Sequence, residues 1–363
     1  MKKNNRKISV INFDAAFPPP IIGGKEKQAY ILAQALSTDN SINVGALSFD
    51  FDNSYINPAQ NFDTYRIRKS KFYLLTLIKE IFLKRYRFSI MHIHTPSKIG
   101  VFVGLISRIF LYKVFFKIPN QGIKVDISST GILNYLFFTV VPNKIIILEK
   151  ETLEKYSAFK LLRNKIFFVP NGVKKRKIKQ YRDISNYVRF IFVGRLVPQK
   201  GCQNILKLCL KLKSNNHKFH LDILGRGPEY KNIKIFIDEN GLSDNVTLHG
   251  NVNDPIKLMY ESDILISPSY KEGMSNVVLE AMSIGLPVLA SKVGSIDIQL
   301  GKFYESYTCE IDDIHESLFL KYLSLRSNKK LEEYGEYLHS RCSRHFNIEH
   351  IADLYKREYS KHA

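Results

Sequence analysis

The sequence predicts an α/β protein of two doubly wound domains, each a parallel sheet wrapped by helices. Three observations carry this. Short apolar runs suited to buried strands alternate with amphipathic helical stretches along nearly the whole chain. The alternation breaks once, at the polar and basic stretch Lys174–Asn186, and then restarts. The chain has 363 residues, too many for one ordinary core.

The elements follow in order. Ile8–Phe13 is a short apolar run suited to a buried parallel strand. Pro18-Pro19-Pro20 and Gly23-Gly24 form a loop, and Tyr30, Ile31, Ala33 and Leu36 give Lys25–Leu36 a helical period. Strands at Ile42–Phe49, Ile90–His94, Val114–Ile118, Lys144–Leu148 and Ile166–Val169 alternate with helices at Phe72–Phe88, Val101–Leu111, Ile132–Val140 and Thr152–Phe159. Pro170-Asn171-Gly172 closes this half, and Lys174–Asn186 reads as a linker. Beyond it come strands Arg189–Val193, His220–Leu224, Val246–His249, Ile264–Ile266 and Pro287–Ala290. Helices Cys202–Lys213, Tyr230–Asn240, Pro255–Glu261 and Asn276–Ile284 lie between them, and the tail from Leu331 is helical. The expected division is 1–176, 177–345, and a terminal helix 346–363 packing back towards the first domain.

Charge is uneven. Lys and Arg number 54 against 34 Asp and Glu, a formal +20. Residues 1–180 hold 30 basic and 11 acidic residues (+19), and residues 181–363 hold 24 and 23 (+1). Such asymmetry concerns partners, not fold. The first half is expected to face nucleic acid, an anionic membrane or a phosphorylated substrate. Cys202, Cys209, Cys309 and Cys342 lack zinc-ligand spacing, so reduced thiols in a cytoplasm are expected. The run Ile8–Ile11 is too short for a secretory signal, and Arg108 and Lys113 interrupt the richest apolar stretch, Ile99–Phe116.

One stretch stands out: Glu272-Gly273-Met274-Ser275-Asn276 leading to Glu280. It follows a strand, so it lies at the carboxyl edge of a parallel sheet, where ligands bind. A helix beginning near Ser275 or Asn276 offers free N–H groups and a dipole to an anion such as diphosphate. Glu280 sits among Val277, Val278, Leu279, Ala281 and Met282, a costly place for an unpartnered carboxylate. It lies roughly 6–8 Å along the axis from the helix start, about the span from a phosphate to its ribose. Binding both ribose hydroxyls is one use; pairing with a lysine or a backbone donor is the other.

Gly194-Arg195 and Lys200-Gly201 form a second strand-to-helix loop, whose two cations suit phosphate oxygens or plain solvation. Gly23-Gly24 allows a phosphate approach or a simple turn, and it is not the dinucleotide fingerprint. Asp50-Phe51-Asp52 has D-x-D spacing, but two acids after a strand are common and no metal is expected. His92 and His94 alternate on one strand, where core or rim packing is the default for both; His94, nearer the strand end, is the better candidate to reach a cleft. The helix at 71–88 mixes Lys71, Lys79, Lys84, Arg85 and Arg87 with large apolar residues. It suits a membrane surface or an ordinary sheet-covering role.

Taken together, these residues resemble family 4 retaining glycosyltransferases of the GT-B fold. The shared pieces are Pro20-x-x-Gly23-Gly24-x-Glu26, His92-x-His94-x-Pro96, Val169-Pro170-Asn171-Gly172-Val173 and Gly194-Arg195-Leu196-x-x-x-Lys200-Gly201. Leu224-Gly225-x-Gly227-Pro228-Glu229, Leu248-x-Gly250, Ser267-Pro268-Ser269 and Glu272-x7-Glu280 complete them. The resemblance implies two Rossmann-like domains facing each other across a cleft, the first binding acceptor and the second nucleotide sugar. It implies that Arg195 and Lys200 hold the donor diphosphate, Glu280 the ribose and Glu272 the transferred sugar. By the same implication Gly23, Gly24, Gly194, Gly225, Gly250, Asn251 and the backbone of Gly273, Met274, Ser275 and Asn276 line the donor. Transfer is with retention and without a bound metal or other cofactor, and a UDP-sugar is preferred over a GDP-sugar.

The sequence also departs from the family. A common His-Gly pair is replaced after the strand at 114–118 by Lys117-Ile118-Pro119-Asn120-Gln121-Gly122, so His94, Lys117, Asn120 and Gly122 become the acceptor-side candidates. Lys174 stands where relatives often have Asp. The expected partners are a nucleotide sugar, a glycan or lipid-linked acceptor in bacterial surface polysaccharide assembly, and an anionic membrane at its cytoplasmic face. Nucleic acid has no matching motif. The competing reading is a non-catalytic partner subunit that keeps the fold.

Overall fold

A computed structural model describes residues 7–17, 23–50, 61–68, 70–119 and 132–363. The chain divides into two units, 1–172 with 348–363, and 173–347.

The first unit is built on strands β1 (Ile8–Phe13), β2 (Ile42–Asp50), β3 (Asp63–Arg68), β4 (Ile90–Ile93), β5 (Lys113–Ile118), β6 (Lys144–Ile147) and β7 (Ile166–Phe168). They lie in the order β3-β2-β1-β4-β5-β6-β7, every pair parallel. Both faces are covered, which explains the nearly continuous apolar runs of β1 and β4. Alternate side chains divide between two cores. Ile11 and Phe13 join Leu77, Ile81, Val103 and Phe138 from helices Tyr73–Lys84, Lys98–Ile109 and Ile132–Val140. Ile8 and Val10 join Ala29 and Leu32 of helix Gly24–Ser37 and Ile351, Tyr355 and Tyr359 of helix Ile348–Ser360.

The second unit uses β8 (Val188–Val193), β9 (Phe219–Leu224), β10 (Val246–Gly250), β11 (Ile264–Ser267), β12 (Val288–Ser291) and β13 (Thr308–Cys309). Their order is β10-β9-β8-β11-β12-β13, again all parallel. Each sheet therefore reverses its winding beside its first strand, between β1 and β4 and between β8 and β11. Such switch points are where doubly wound sheets place ligands.

Several expectations change. The edge strand β3 went unpredicted, because only Ile67 of Asp-Thr-Tyr-Arg-Ile-Arg is buried. Helix Ile314–Leu325 was also missed. The single helical tail is two helices, Asn328–His345 and Ile348–Ser360, interrupted where the Val173 N–H donates to the Phe346 carbonyl at 2.8 Å and Val173 bridges to Asn347. That contact also places Val173–Arg176 with the second unit rather than the first. The stretch Lys174–Asn186 is no free linker. Its Lys179 N–H donates to Ile284 O, its Tyr181 hydroxyl to Gly285 O, and Ile184 is buried. Arg182 grips the fully buried Asp263, with Nε at 2.8 Å from Oδ1. A charged strap held by one ion pair and scattered backbone bonds carries no apolar period for a sequence reading to register.

Candidate functional site

The best-defined constellation lies at the β8/β11 switch point. After β8 the chain turns through Gly194 and Arg195 into a short 3-10 turn, Pro198–Lys200, which ends at Gly201. Gly201 has φ +67°, and a Cβ there would stand 2.0 Å from Pro268 O, so only glycine lets this loop touch the loop after β11. The two loops are then latched. The Tyr270 N–H donates to Gln199 O at 2.8 Å, Gln199 Nε2 to Lys271 O at 2.8 Å, and Asn204 Nδ2 to the Tyr270 hydroxyl at 2.9 Å.

The latch brings Lys200 against Glu272 as an ion pair, and the Ser269 hydroxyl donates to the same Glu272 oxygen at 3.0 Å. Their side chains are 22 % and 17 % exposed, so the pair is half-sheltered yet open to a ligand. Arg195 on the same loop is exposed, and its guanidinium makes no ion pair or hydrogen bond among the described residues. A cation held by a carboxylate and a second cation left over form a place for a polyanion.

Helix Asn276–Ser283 starts beside Glu272, with Ser275 as its cap. The preceding backbone is fixed from behind: the Ser295 N–H donates to Gly273 O, and buried Gln299 exchanges two bonds with Ser275. The Ser275 N–H is thus already engaged by Gln299 Oε1 at 3.3 Å, against the expectation that it faces sugar or phosphate. Met274 and Ser275 are buried, and Asn276 is half-buried. Glu280 is buried on this helix at 6 % exposure between Leu279 and Ala281.

The remaining glycines of the expected donor wall have a packing reason of their own. Gly225 has φ +142°, and a Cβ there would fall 1.8 Å from Gly194 O, while its N–H donates to Gly250 O at 2.7 Å. The ends of β8, β9 and β10 therefore meet backbone to backbone through Gly194, Gly225 and Gly250. Asn251, one residue on, is exposed.

In the first unit, Gly23 caps helix Gly24–Ser37, and its carbonyl accepts from the Lys27 N–H. His94 is buried with Nε2 3.0 Å from Asn12 Oδ1, and its ring centroid lies 3.9 Å from that of His92 at a 31° tilt. Burial first, then the charges of His92, Lys117 and Lys25, hold His94 well below the usual histidine range. Lys117 is buried too, donating to Asn171 Oδ1 at 3.0 Å, and burial pushes its ammonium down to about 8. Asp14 escaped the sequence reading. It is fully buried, accepts from the Thr95 hydroxyl at 3.0 Å, lies 3.5 Å from Lys25 Nζ, and is pushed up by burial. Its one legible signal was its position, the first residue past β1. Asp50 ends β2. Asn120, Gly122 and Asp52 lie outside the described residues.

Comparison with known proteins bears on this geometry. Residues 173–337 match the family model described as Glycosyl transferases group 1. The match takes in nearly all of the second unit, 173–347. An uncharacterised glycosyltransferase of Methanocaldococcus jannaschii is 29 % identical over 248 residues, 62 % of this chain and 60 % of that relative. The chain thus spans about three-fifths of the curated relative it matches. Over 98 % of its length it superposes on all of Anabaena HepE, solved with UDP and glucose, at TM-score 0.76 and 15 % identity. It covers 98 % of the sucrose-phosphate synthase of Thermosynechococcus elongatus, and 98 % of this chain is covered in turn, at TM-score 0.80 and 17 % identity. The fold is GT-B, as expected.

Proposed function

We propose that the protein is a retaining glycosyltransferase that moves a sugar from a nucleotide diphosphate sugar to a lipid-linked glycan in bacterial surface polysaccharide assembly. The observation that carries the donor half is the Lys200–Glu272 pair at the β8/β11 switch point, with exposed Arg195 on the same loop. A diphosphate entering there meets two cations and the amino end of helix Asn276–Ser283. Lys200 then exchanges its carboxylate for phosphate oxygens, which releases Glu272 to approach the transferred sugar. As the glycosidic bond to phosphate breaks, charge builds on the departing diphosphate, and Arg195 and Lys200 stabilise it. The reading gives them this task in place of a metal. Glu280, one turn into the helix, takes the ribose. The acceptor side rests on the +19 charge of residues 1–180 and on the buried polar group His94, Lys117 and Asp14 at the β1/β4 switch point.

UDP is the first nucleotide to test, and the UDP in the HepE structure supports that choice. A thermal-shift series with UDP, GDP, ADP and their sugars measures donor binding, since a ligand bound only by the folded state raises the melting temperature. Wild type is expected to shift, Arg195→Ala with Lys200→Ala to lose most of the shift, and Glu280→Ala to lose preference for nucleoside over inorganic diphosphate. A wild type that no nucleotide stabilises sinks the donor site and leaves the non-catalytic subunit.

A further inference from the structure

We infer that the helices over one face of the first unit's sheet form a docking surface for an anionic lipid bilayer, with Leu111 as its leading apolar contact. Helices Tyr73–Lys84, Lys98–Ile109 and Ile132–Val140 lie side by side: their inner residues Leu77, Ile81, Val103 and Phe138 share one buried cluster. The rings of Phe82 and Phe110 meet at 5.3 Å, and Arg85 Nε donates to Phe110 O at 3.0 Å, so the layer is continuous with the turn that follows the second helix. Its outer side is not the polar surface that a water-facing layer carries. Leu75 is 65 % exposed, Tyr86 83 %, Ile109 68 %, Leu111 75 %, Leu133 71 % and Val140 63 %. Large apolar side chains gathered this way mark an interaction surface.

Leu111 adds an independent observation. Its φ is +65°, the left-handed conformation that ends helices and normally falls to glycine or asparagine. A leucine there is strained, and at 75 % exposure it gains little from the core in return. The side chain is held out at a helix end against the local backbone preference, which makes sense where its apolar surface has somewhere to go.

Charge selects the occupant. Residues 71–113 hold eight Lys and Arg and one acid, Glu80; Lys84 pairs with Glu80 and Arg87 with Asp63, which leaves six cations in excess. Cations interleaved with leucine, isoleucine and tyrosine fit an anionic headgroup layer, into which the apolar groups dip. Among the described residues no helix is long and apolar enough to cross a membrane, so this surface lies on the bilayer.

The inference rests on the proposed lipid-linked acceptor only for its purpose. Its test is therefore run without donor or acceptor. The full chain is sedimented with phosphatidylcholine vesicles and with vesicles containing phosphatidylglycerol. Binding is expected to the anionic vesicles alone. Leu111→Gly removes the strain together with the side chain, so its melting temperature should equal or exceed wild type while its vesicle binding falls about fivefold. Lys71→Glu, Lys79→Glu and Lys113→Glu together should cost at least about tenfold. Equal binding to both vesicles, no binding, or undiminished binding by Leu111→Gly overturns the inference. So does light scattering that shows the chain self-associating through this face and dispersed by Leu111→Gly. The UDP thermal shift of Leu111→Gly reports separately on the donor site, so a failure here and a failure there are distinct.

Discussion

Glu272→Gln isolates the competition between carboxylate and phosphate for Lys200. The substitution keeps shape and the Ser269 hydrogen bond, because a glutamine carbonyl accepts as a carboxylate does. What disappears is the charge that holds Lys200. For contacting charges about 3 Å apart, with an effective dielectric near 50 for groups about a fifth exposed, the attraction is about 2 kcal/mol. Salt and the alternative hydration of Lys200 take back part of it. A net gain of about 1–2 kcal/mol for diphosphate binding corresponds to UDP held roughly five- to thirtyfold more tightly. Transfer should move the other way, falling at least about a hundredfold, if Glu272 faces the reacting sugar. Isothermal titration with UDP at low and high salt, beside a transfer assay, reads both. The gain should shrink in salt. UDP binding that is weaker or unchanged in Glu272→Gln refutes the competition.

Three further outcomes follow from the same structure. Gly201→Ala should destabilise by about 1–3 kcal/mol in thermal melts and abolish the UDP shift, since its methyl would overlap Pro268 O and part the latched loops. Asp263→Ala should cost about 3 kcal/mol or more in urea unfolding: this fully buried carboxylate accepts from Arg182 and from the Arg189 N–H at 2.7 Å, and its removal leaves both unpaired. Lys117 titrates near 8 in the fold and near ~10.4 when unfolded, so between those values the unfolded chain holds the extra proton and stability rises with pH. Lys117→Met should flatten that rise and increase stability at pH 7, by at most about 2–3 kcal/mol because Asn171 loses its donor, which thermal melts read as a higher melting temperature. A melting temperature at pH 7 lowered by Lys117→Met would contradict the burial cost.

The elements that period and length make visible were legible: fully buried strands such as Ile8–Phe13 and one-sided helices such as Cys202–Ser214. Elements with few buried side chains were harder to read, and helix Ile314–Leu325 was missed although it buries Ile314, Leu318, Tyr322 and Leu325. β3 exposes most of its side chains and owes its place to the ladder with β2. At the site, both loops were placeable from the strand ends, and Glu280 was conspicuous for its apolar neighbours. The approach of Lys200 to Glu272 was not foreseen, because it depends on Gly201 touching Pro268 and on Gln199 reaching Lys271, contacts 67 to 72 positions apart in the chain. Gln299 occupying the Ser275 N–H is of the same kind. A sequence shows which groups a loop offers, and the fold decides which of them are already taken.

The first unit is interrupted by the second in the chain, its last helix arriving only after residues 173–347. That has a consequence for the order of events during synthesis. At about 5–20 residues per second, some ten to forty seconds pass between the last residue of β7 and the first residue of helix Ile348–Ser360. Through that interval the apolar surface formed by Val10 of the sheet and by Ala29 and Leu32 of helix Gly24–Ser37 awaits Tyr355 and Tyr359, whose helix follows the second unit in the chain. The nascent chain is thus set to complete its second unit first and to close the interrupted first unit afterwards.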